Sequence, residues 1–130
     1  VCRQTDSGGW TMLLIAGDKK VLMKKNRMKV TRQGRVYKSS ETKHFEAYVR
    51  NLAAVACAEQ DWDCVQGDVT FSMFVCFGDK RKRDLQNCFA SVCDALEGIV
   101  YDNDSQIKFI TGSKMYMKGV WGFRIQVDVC

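Results

Sequence analysis

The stretch from Val69 to Phe77 constrains the fold most, because apolar side chains occupy both of its alternating faces. Every second residue from Val69 onward is apolar, and Phe74 and Cys76 make the other face partly apolar too. A short strand with this pattern is typical of the interior of a sheet. Gly78 and Asp79 then break the pattern. We therefore expect a central strand that ends at Phe77.

Two helices are predicted on either side of this strand. Residues 41–59 place apolar side chains at three- and four-residue intervals, and Ser39 and Ser40 offer N-caps. Residues 85–97 repeat the pattern, with Asp84 as N-cap and Gly98 near the C-cap position. Both segments are amphipathic, so each helix is expected to bury one face against the sheet.

Three further strands complete the expected fold, at residues 10–16, 106–113 and 119–129. The predicted order is strand, loop, helix, strand, helix, strand, strand. This order indicates a single α+β domain over residues 1–130, a small mixed sheet with the two main helices packed on one face.

The basic residues are concentrated in two segments. Residues 19–38 carry nine Lys or Arg and no acid, and residues 80–83 add four more. The first segment is expected to be a long exposed loop, with a short ribbon at 28–37. Outside these segments 15 acids face seven bases. Such asymmetry favours a nucleic-acid partner over a merely solvated basic face. The candidate DNA-binding residues are Lys24, Lys25, Arg27, Lys29, Arg32, Arg35, Lys80, Arg81, Lys82 and Arg83.

Carboxylates stand close to the second basic segment. Asp84 follows it directly, at a predicted helix start, and Asp104 lies in the loop after that helix. Whether Asp104 returns to the same rim of the sheet depends on the fold. If it does, the pair could hold Mg²⁺, or Mn²⁺, together with water and substrate phosphate oxygens. The alternatives are that Asp84 is a simple cap and residues 102–104 a simple turn.

The sequence argues against other kinds of catalytic or metal site. The single histidine, His44, argues against two-histidine nucleases and catalytic triads. The seven cysteines contain no Cys-x-x-Cys, and Cys57, Cys76, Cys88 and Cys93 fall within apolar patterns. They are interpreted as core residues of a protein in a reducing compartment, a bacterial, phage or viral cytoplasmic protein. No apolar stretch is long enough to predict a membrane span.

Three motifs together resemble the RusA-type Holliday-junction resolvases. They are Lys80-Arg-Lys-Arg-Asp-Leu-Gln-Asn, Asp94-Ala-Leu, and Asn103-Asp-Ser-Gln-Ile. The family pattern is a basic run into Arg-Asp-Leu-Asp-Asn, then Asp-Ala-Leu in a helix, then Asp-Asp-x-Gln-Val. The likeness extends loosely over residues 12–128 and is strongest at 80–107.

The resemblance implies a small homodimer that binds four-way DNA junctions and cuts two strands symmetrically with Mg²⁺. Position by position, Asp84 matches the first metal-site aspartate and Asp104 the third. Lys114 matches a family lysine and is a further candidate DNA-binding residue. Gln86 occupies the second aspartate position. Ala90 stands where the family has a helix lysine, and Asn103 replaces the first residue of the acidic pair.

These departures leave two readings open. In one, the enzyme is active, with Asp84, Asp104 and Gln86 as catalytic residues and with Asp102 or Asp79 supplying the lost carboxylate. Its expected metal ligands are then Asp84, Asp104 and Asp102. In the other, the domain binds branched DNA without cutting, or contacts RNA or protein as a structural module. An engineered change at residue 86 would explain the glutamine but not Ala90.

Overall fold

The computed structural model describes residues 12–22, 28–30, 32–34, 36–38 and 40–130. The elements, in chain order, are β1 (Met12–Gly17), β2 (Met28–Val30), β3 (Val36–Lys38), α1 (Ser40–Glu59), β4 (Val69–Phe77), α2 (Leu85–Leu96), β5 (Ile107–Tyr116) and β6 (Gly122–Val129). This order confirms the predicted α+β fold. Two boundaries were wrong: β5 continues three residues past the expected end at 113, and β6 begins at 122 rather than 119.

Four strands form one mixed sheet in the order β1-β6-β4-β5. β4 pairs antiparallel with β6 and parallel with β5, while β6 also pairs antiparallel with β1. β4 therefore lies inside the sheet, as its two apolar faces predict. β2 and β3 pair separately as a two-stranded ribbon within the first basic segment, where a ribbon was expected.

The strand directions give the sheet two chemically distinct edges. β1, β4 and β5 all run the same way, because β1 and β4 are both antiparallel to β6. We call the edge where these three strands end the carboxyl edge, and the edge where they begin the amino edge. α2 connects β4 to β5, so it starts near the carboxyl edge and brings the chain back to the amino edge.

The core lies between the helices and one face of the sheet. Phe71, Val75 and Ile125 point into it from the strands and are almost fully buried. At Gly112 of β5, an added Cβ would lie 2.0 Å from the ring of Phe89. The glycine therefore allows α2 to approach β5 closely. On the other face of the sheet, Leu14 and Phe74 remain partly exposed.

The buried cysteines behave as core residues. Cys76, Cys88 and Cys93 are buried free thiols, and Cys57 is partly buried. Burial raises the pKa of Cys88 to about 11 and that of Cys93 to about 12, so both stay protonated at neutral pH. Among the helices that the structure describes, none is long and apolar enough to cross a membrane.

Candidate nucleic-acid interface and acidic cluster

The two basic segments leave the sheet at the same edge. Lys19 and Lys20 follow β1, and residues 80–83 follow β4, both at the carboxyl edge. The indole of Trp121 lies between them, 4.9 Å from Nζ of Lys20 and 5.3 Å from Cζ of Arg83, measured to the ring centroid. The two basic runs are separate in the sequence, whereas the fold brings the start of the first, Lys19 and Lys20, beside the second. We define the cationic rim as Lys19, Lys20, Lys80, Arg81, Lys82 and Lys114.

A cleft of about 440 Å³ opens at this rim between the loop after β4 and the end of β5. Lys80, Arg81 and Lys82 line it and are exposed. Nζ of Lys80 lies 5.3 Å from the centroid of the Tyr116 ring, and Nζ of Lys114 donates to the Arg83 carbonyl at 2.8 Å. Exposed cations beside an open cleft are suited to phosphate oxygens, which carry most of the affinity in protein–DNA contacts.

Arg83 differs from its neighbours because its side chain is 8% exposed. Its guanidinium is paired with both carboxylate oxygens of Asp79, with Nη2 to Oδ2 at 3.1 Å, and Cζ lies 4.9 Å from the Phe77 ring centroid. These contacts make Arg83 an internal support of the rim. They also engage Asp79, the suggested replacement metal ligand, and the assignment of Arg83 as a DNA contact stays a prediction.

Arg83→Met is expected to lower the melting temperature by on the order of 5 °C, because it removes the ion pair with Asp79 and a cation packed on Phe77. The hydrogen bond from Arg83 lowers the pKa of Asp79 from 3.8 to about 2. A lowered folded-state pKa stabilises the fold above the unfolded value. Thermal melts should therefore separate wild type from Arg83→Met above about pH 4, and the separation should shrink towards pH 2. Arg81→Met, which removes an exposed arginine, is the control; an equal loss in both variants would contradict a supporting role.

Asp84 begins α2 at the carboxyl edge. Its Oδ1 accepts the Gln86 backbone N–H at 2.9 Å, so the carboxylate caps the helix as predicted. The side chain of Gln86 is exposed in the first turn, and Ala90 is exposed one turn later. At this end of α2, the positions of the family's second aspartate and lysine thus hold an uncharged amide and a methyl group.

Asp104 lies at the other edge of the sheet, just before β5. α2 has twelve residues and is therefore about 18 Å long. Asp84 is at its start, whereas Asp104 donates its backbone N–H to Oε1 of Glu97, the C-cap of α2, at 3.4 Å. The expected pairing of Asp84 and Asp104 on one ion is therefore wrong within a single chain, since ligands of one cation lie a few ångströms apart.

Asp104 instead belongs to an acidic cluster with Asp94 and Glu97. One carboxylate oxygen from each residue lies within 4.8 Å of the other two. Asp94 and Glu97 are three residues apart at the end of α2, so they share one side of the helix. That spacing is the sequence signal that could identify both residues, which sequence reasoning missed. Asp102 is exposed and is not part of this cluster, and its assignment as a metal ligand stays a prediction.

The loop that carries Asp104 is held by local hydrogen bonds. Oδ1 of Asn103 accepts the Ser105 N–H at 2.8 Å, and Oε1 of Gln106 accepts the Asn103 N–H at 2.8 Å. The Gln106 amide also donates to the carbonyls of Val65 and Gly67. Asn103 thus has a capping role at the position where the family has an acid, because an amide oxygen caps as well as a carboxylate.

Most side chains of the first basic segment lie outside the residues that the structure describes. Lys24, Lys25, Arg27 and Arg35 fall outside the described residues, and only the backbone of Lys29 is described, in β2. Arg32 is exposed in the turn of the ribbon. Their assignment as DNA-binding residues stays a prediction.

Comparison with known proteins agrees with this architecture. No curated protein matches the chain. A family model described as endodeoxyribonuclease RusA matches residues 19–129, which include both basic segments, Asp84 and the acidic cluster. The chain therefore belongs to the RusA endodeoxyribonuclease family.

Proposed function

We propose that this protein is a metal-dependent endonuclease that cuts four-way DNA junctions at two symmetric positions. The observation that carries the proposal is the convergence of Asp94, Glu97 and Asp104 in a member of an endodeoxyribonuclease family. Family membership supports the reaction class, and the cationic rim supports a DNA substrate. Symmetric cleavage needs two equivalent sites, so the acting unit is a homodimer.

The acidic cluster fits a hard divalent cation. Mg²⁺ and Mn²⁺ prefer carboxylate oxygens and keep several waters, and three carboxylates that converge at an accessible loop leave room for water and phosphate. Asp94, Glu97 and Asp104 would hold the ion. When bound, such an ion polarises a phosphate and lowers the pKa of a coordinated water.

The rim supplies DNA binding. Lys80, Arg81 and Lys82 are positioned to contact phosphates, which fixes the orientation of the substrate without reading its sequence. Lys114 lines the same cleft and places a further cation there. Because these contacts are electrostatic, the affinity should fall steeply with salt.

A second candidate function is junction binding without cleavage. It is favoured by the separation of the two features, since the acidic cluster lies at the amino edge and the rim at the carboxyl edge of one chain. At the rim itself, Gln86 and Ala90 bring no charge to the start of α2. This candidate predicts tight binding that needs no divalent ion.

A labelled four-way junction separates the two functions. We expect nicks at symmetric positions in opposing strands with Mg²⁺ or Mn²⁺, and none with EDTA, on denaturing gels. Binding in EDTA, measured by mobility shift, should persist. A linear duplex with the same arm sequence is the control and should be bound more weakly and left uncut. Tight binding with no nicks at any concentration of either metal would replace the first function by the second.

A further inference from the structure

The connection between β5 and β6 carries a cluster of exposed apolar side chains. These two strands are not neighbours in the sheet, so the chain crosses over the end of β4 at the carboxyl edge. Met115, Tyr116, Met117 and Val120 lie at this crossing, and each is between 39% and 48% exposed. We call these four residues the apolar crest. Single exposed apolar residues are ordinary, whereas a cluster of them is typical of a surface that binds a partner.

The backbone of the crest is fixed by hydrogen bonds. The Met117 N–H donates to the Phe77 carbonyl at 3.0 Å, and the Gly119 N–H donates to the Gly78 carbonyl at 2.9 Å. The Val120 N–H closes a tight turn on the Met117 carbonyl at 2.9 Å, and Gly119 supplies the positive φ, 72°, that this turn requires. The crest is therefore anchored on the end of β4, so little backbone entropy is lost when it binds.

An aromatic support lies beneath the crest. Trp121, which directly follows Val120, packs edge-to-face on Phe77 with 6.4 Å between the ring centroids. A Cβ added to Gly78 would lie 2.5 Å from Nε1 of Trp121, so the glycine allows the indole to lie directly against the chain. The guanidinium of Arg83 packs on both rings. Because the space below the crest is filled, its apolar side chains face outward.

Cations surround the crest. Lys114 precedes it, Lys118 lies within it, and residues 114–121 contain no acid. Nζ of Lys80 lies 5.3 Å from the centroid of the Tyr116 ring. An apolar surface among cations fits a partner whose apolar faces lie between anionic groups. Nucleic-acid bases, which lie between phosphates, have this chemistry.

Branched DNA offers base faces that a linear duplex hides. Inside a linear duplex each base face is covered by its stacked neighbours, and the phosphates and groove edges remain open. At the centre of a branched DNA the continuous stack of an arm is interrupted, so apolar side chains can contact base faces there. Phosphate contacts from the rim position both substrates alike. A surface that binds base faces therefore supplies a selectivity that the rim cannot.

We propose that the apolar crest is the branch-recognition element of this protein and that it packs on the base faces exposed where the arms of a branched DNA meet. The inference rests on the DNA binding in the proposed function, and not on cleavage. The cationic rim holds the phosphates of an arm, while the crest beside it places Tyr116 and the two methionines on the bases at the branch. Each base stacked in this way contributes roughly fivefold to a hundredfold in affinity.

Met117→Ser combined with Val120→Ser tests the crest, because the pair removes apolar contact and leaves the glycine and the lysines of the turn. By fluorescence anisotropy, this double variant should bind a four-way junction at least about tenfold more weakly, and its affinity for a linear duplex of the same arm sequence should change by less than about twofold. Tyr116→Ser, which leaves the turn intact, should show the same loss of selectivity. Val55→Ser is the matched control: Val55 is an exposed apolar residue of α1, and its loss should leave both affinities unchanged. Circular dichroism verifies that the variants are folded.

Salt dependence separates the crest from the rim. The double variant removes no cation, so the slope of log affinity against log salt should stay that of wild type although junction affinity falls. A 2-aminopurine base at the branch should change its emission when wild type binds, and much less with the double variant at saturating protein. A reduced salt slope, or equal losses of affinity for junction and duplex, would show that the crest only supports the rim and would overturn the inference.

Anionic lipid is the other partner that combines negative charge with an apolar layer. Flotation with vesicles that contain phosphatidylserine, at physiological salt, tests it: wild type should stay unbound. Flotation of wild type that the double variant abolishes would assign the crest to a lipid surface and overturn the inference.

Failure of the proposed function gives a different result. A wild type that binds junctions through the crest but never nicks them would refute the nuclease while the inference stands. A double variant with the junction selectivity of wild type would refute the inference while the nuclease stands.

Discussion

Asp104→Asn is expected to lower the rate of junction nicking by about a hundredfold or more and to change junction affinity by less than about twofold. The substitution keeps the size of the side chain and removes one of three negative charges in the acidic cluster. Cation affinity depends strongly on the number of charged ligands, whereas the DNA contacts lie on the rim. Single-turnover nicking at saturating protein, repeated over a range of Mg²⁺ concentrations, measures the effect.

The dependence of the nicking rate on Mg²⁺ concentration tests directly whether Asp104 holds the ion. If Asp104 holds the ion, the variant should need more Mg²⁺ than wild type to reach half of its maximal rate. Asp63→Asn removes an exposed acid that lies outside the cluster, and it should behave like wild type. A variant at Asp104 with normal nicking and a normal Mg²⁺ requirement would show that the metal lies elsewhere.

Replacing Lys80, Arg81 and Lys82 together by alanine is expected to reduce the salt slope of junction binding by about 2.7, since each neutralised phosphate contributes about 0.9. At 0.1 M salt, that slope corresponds to a loss of affinity of roughly several hundredfold. The three side chains are exposed and surround one cleft, so their removal should not disturb the core. Fluorescence anisotropy over a series of salt concentrations gives both quantities.

Lys108→Ala provides the control for this series. Lys108 is an exposed lysine near the amino edge, where its Nζ lies 3.7 Å from Oδ1 of Asp68. Its loss should leave the salt slope within experimental error of wild type. An unchanged salt slope in the triple variant would contradict DNA binding by these three residues and would indicate that the first basic segment makes the phosphate contacts.

Much of the fold could be predicted from local periodicity. The interior position of β4 followed from its two apolar faces, and α2 ends within one residue of its predicted bound. β5 was predicted too short because Gly112, Ser113 and Lys114 look like the end of a strand. In the structure β4 pairs with β5 as far as Tyr116, so the neighbouring strand sets the length.

The site was harder to predict because sequence separation does not say which edge of a sheet a loop reaches. Asp84 and Asp104 flank one helix, and a helix that joins parallel strands always returns the chain to the edge where those strands begin. The internal pairing of Arg83 could not be predicted for a related reason. In the sequence it is one of four equivalent bases, and only the fold turns it back onto Asp79.

The acidic cluster and the cationic rim place charges of opposite sign at the two ends of the strands. In the field of a polyanion such a molecule rotates before contact, so that its carboxyl edge leads and its amino edge is repelled. A single copy that meets DNA would thus deliver its cations and hold its own carboxylates away from the phosphates. The association rate constant should therefore be high in dilute buffer and fall steeply as counterions screen these charges.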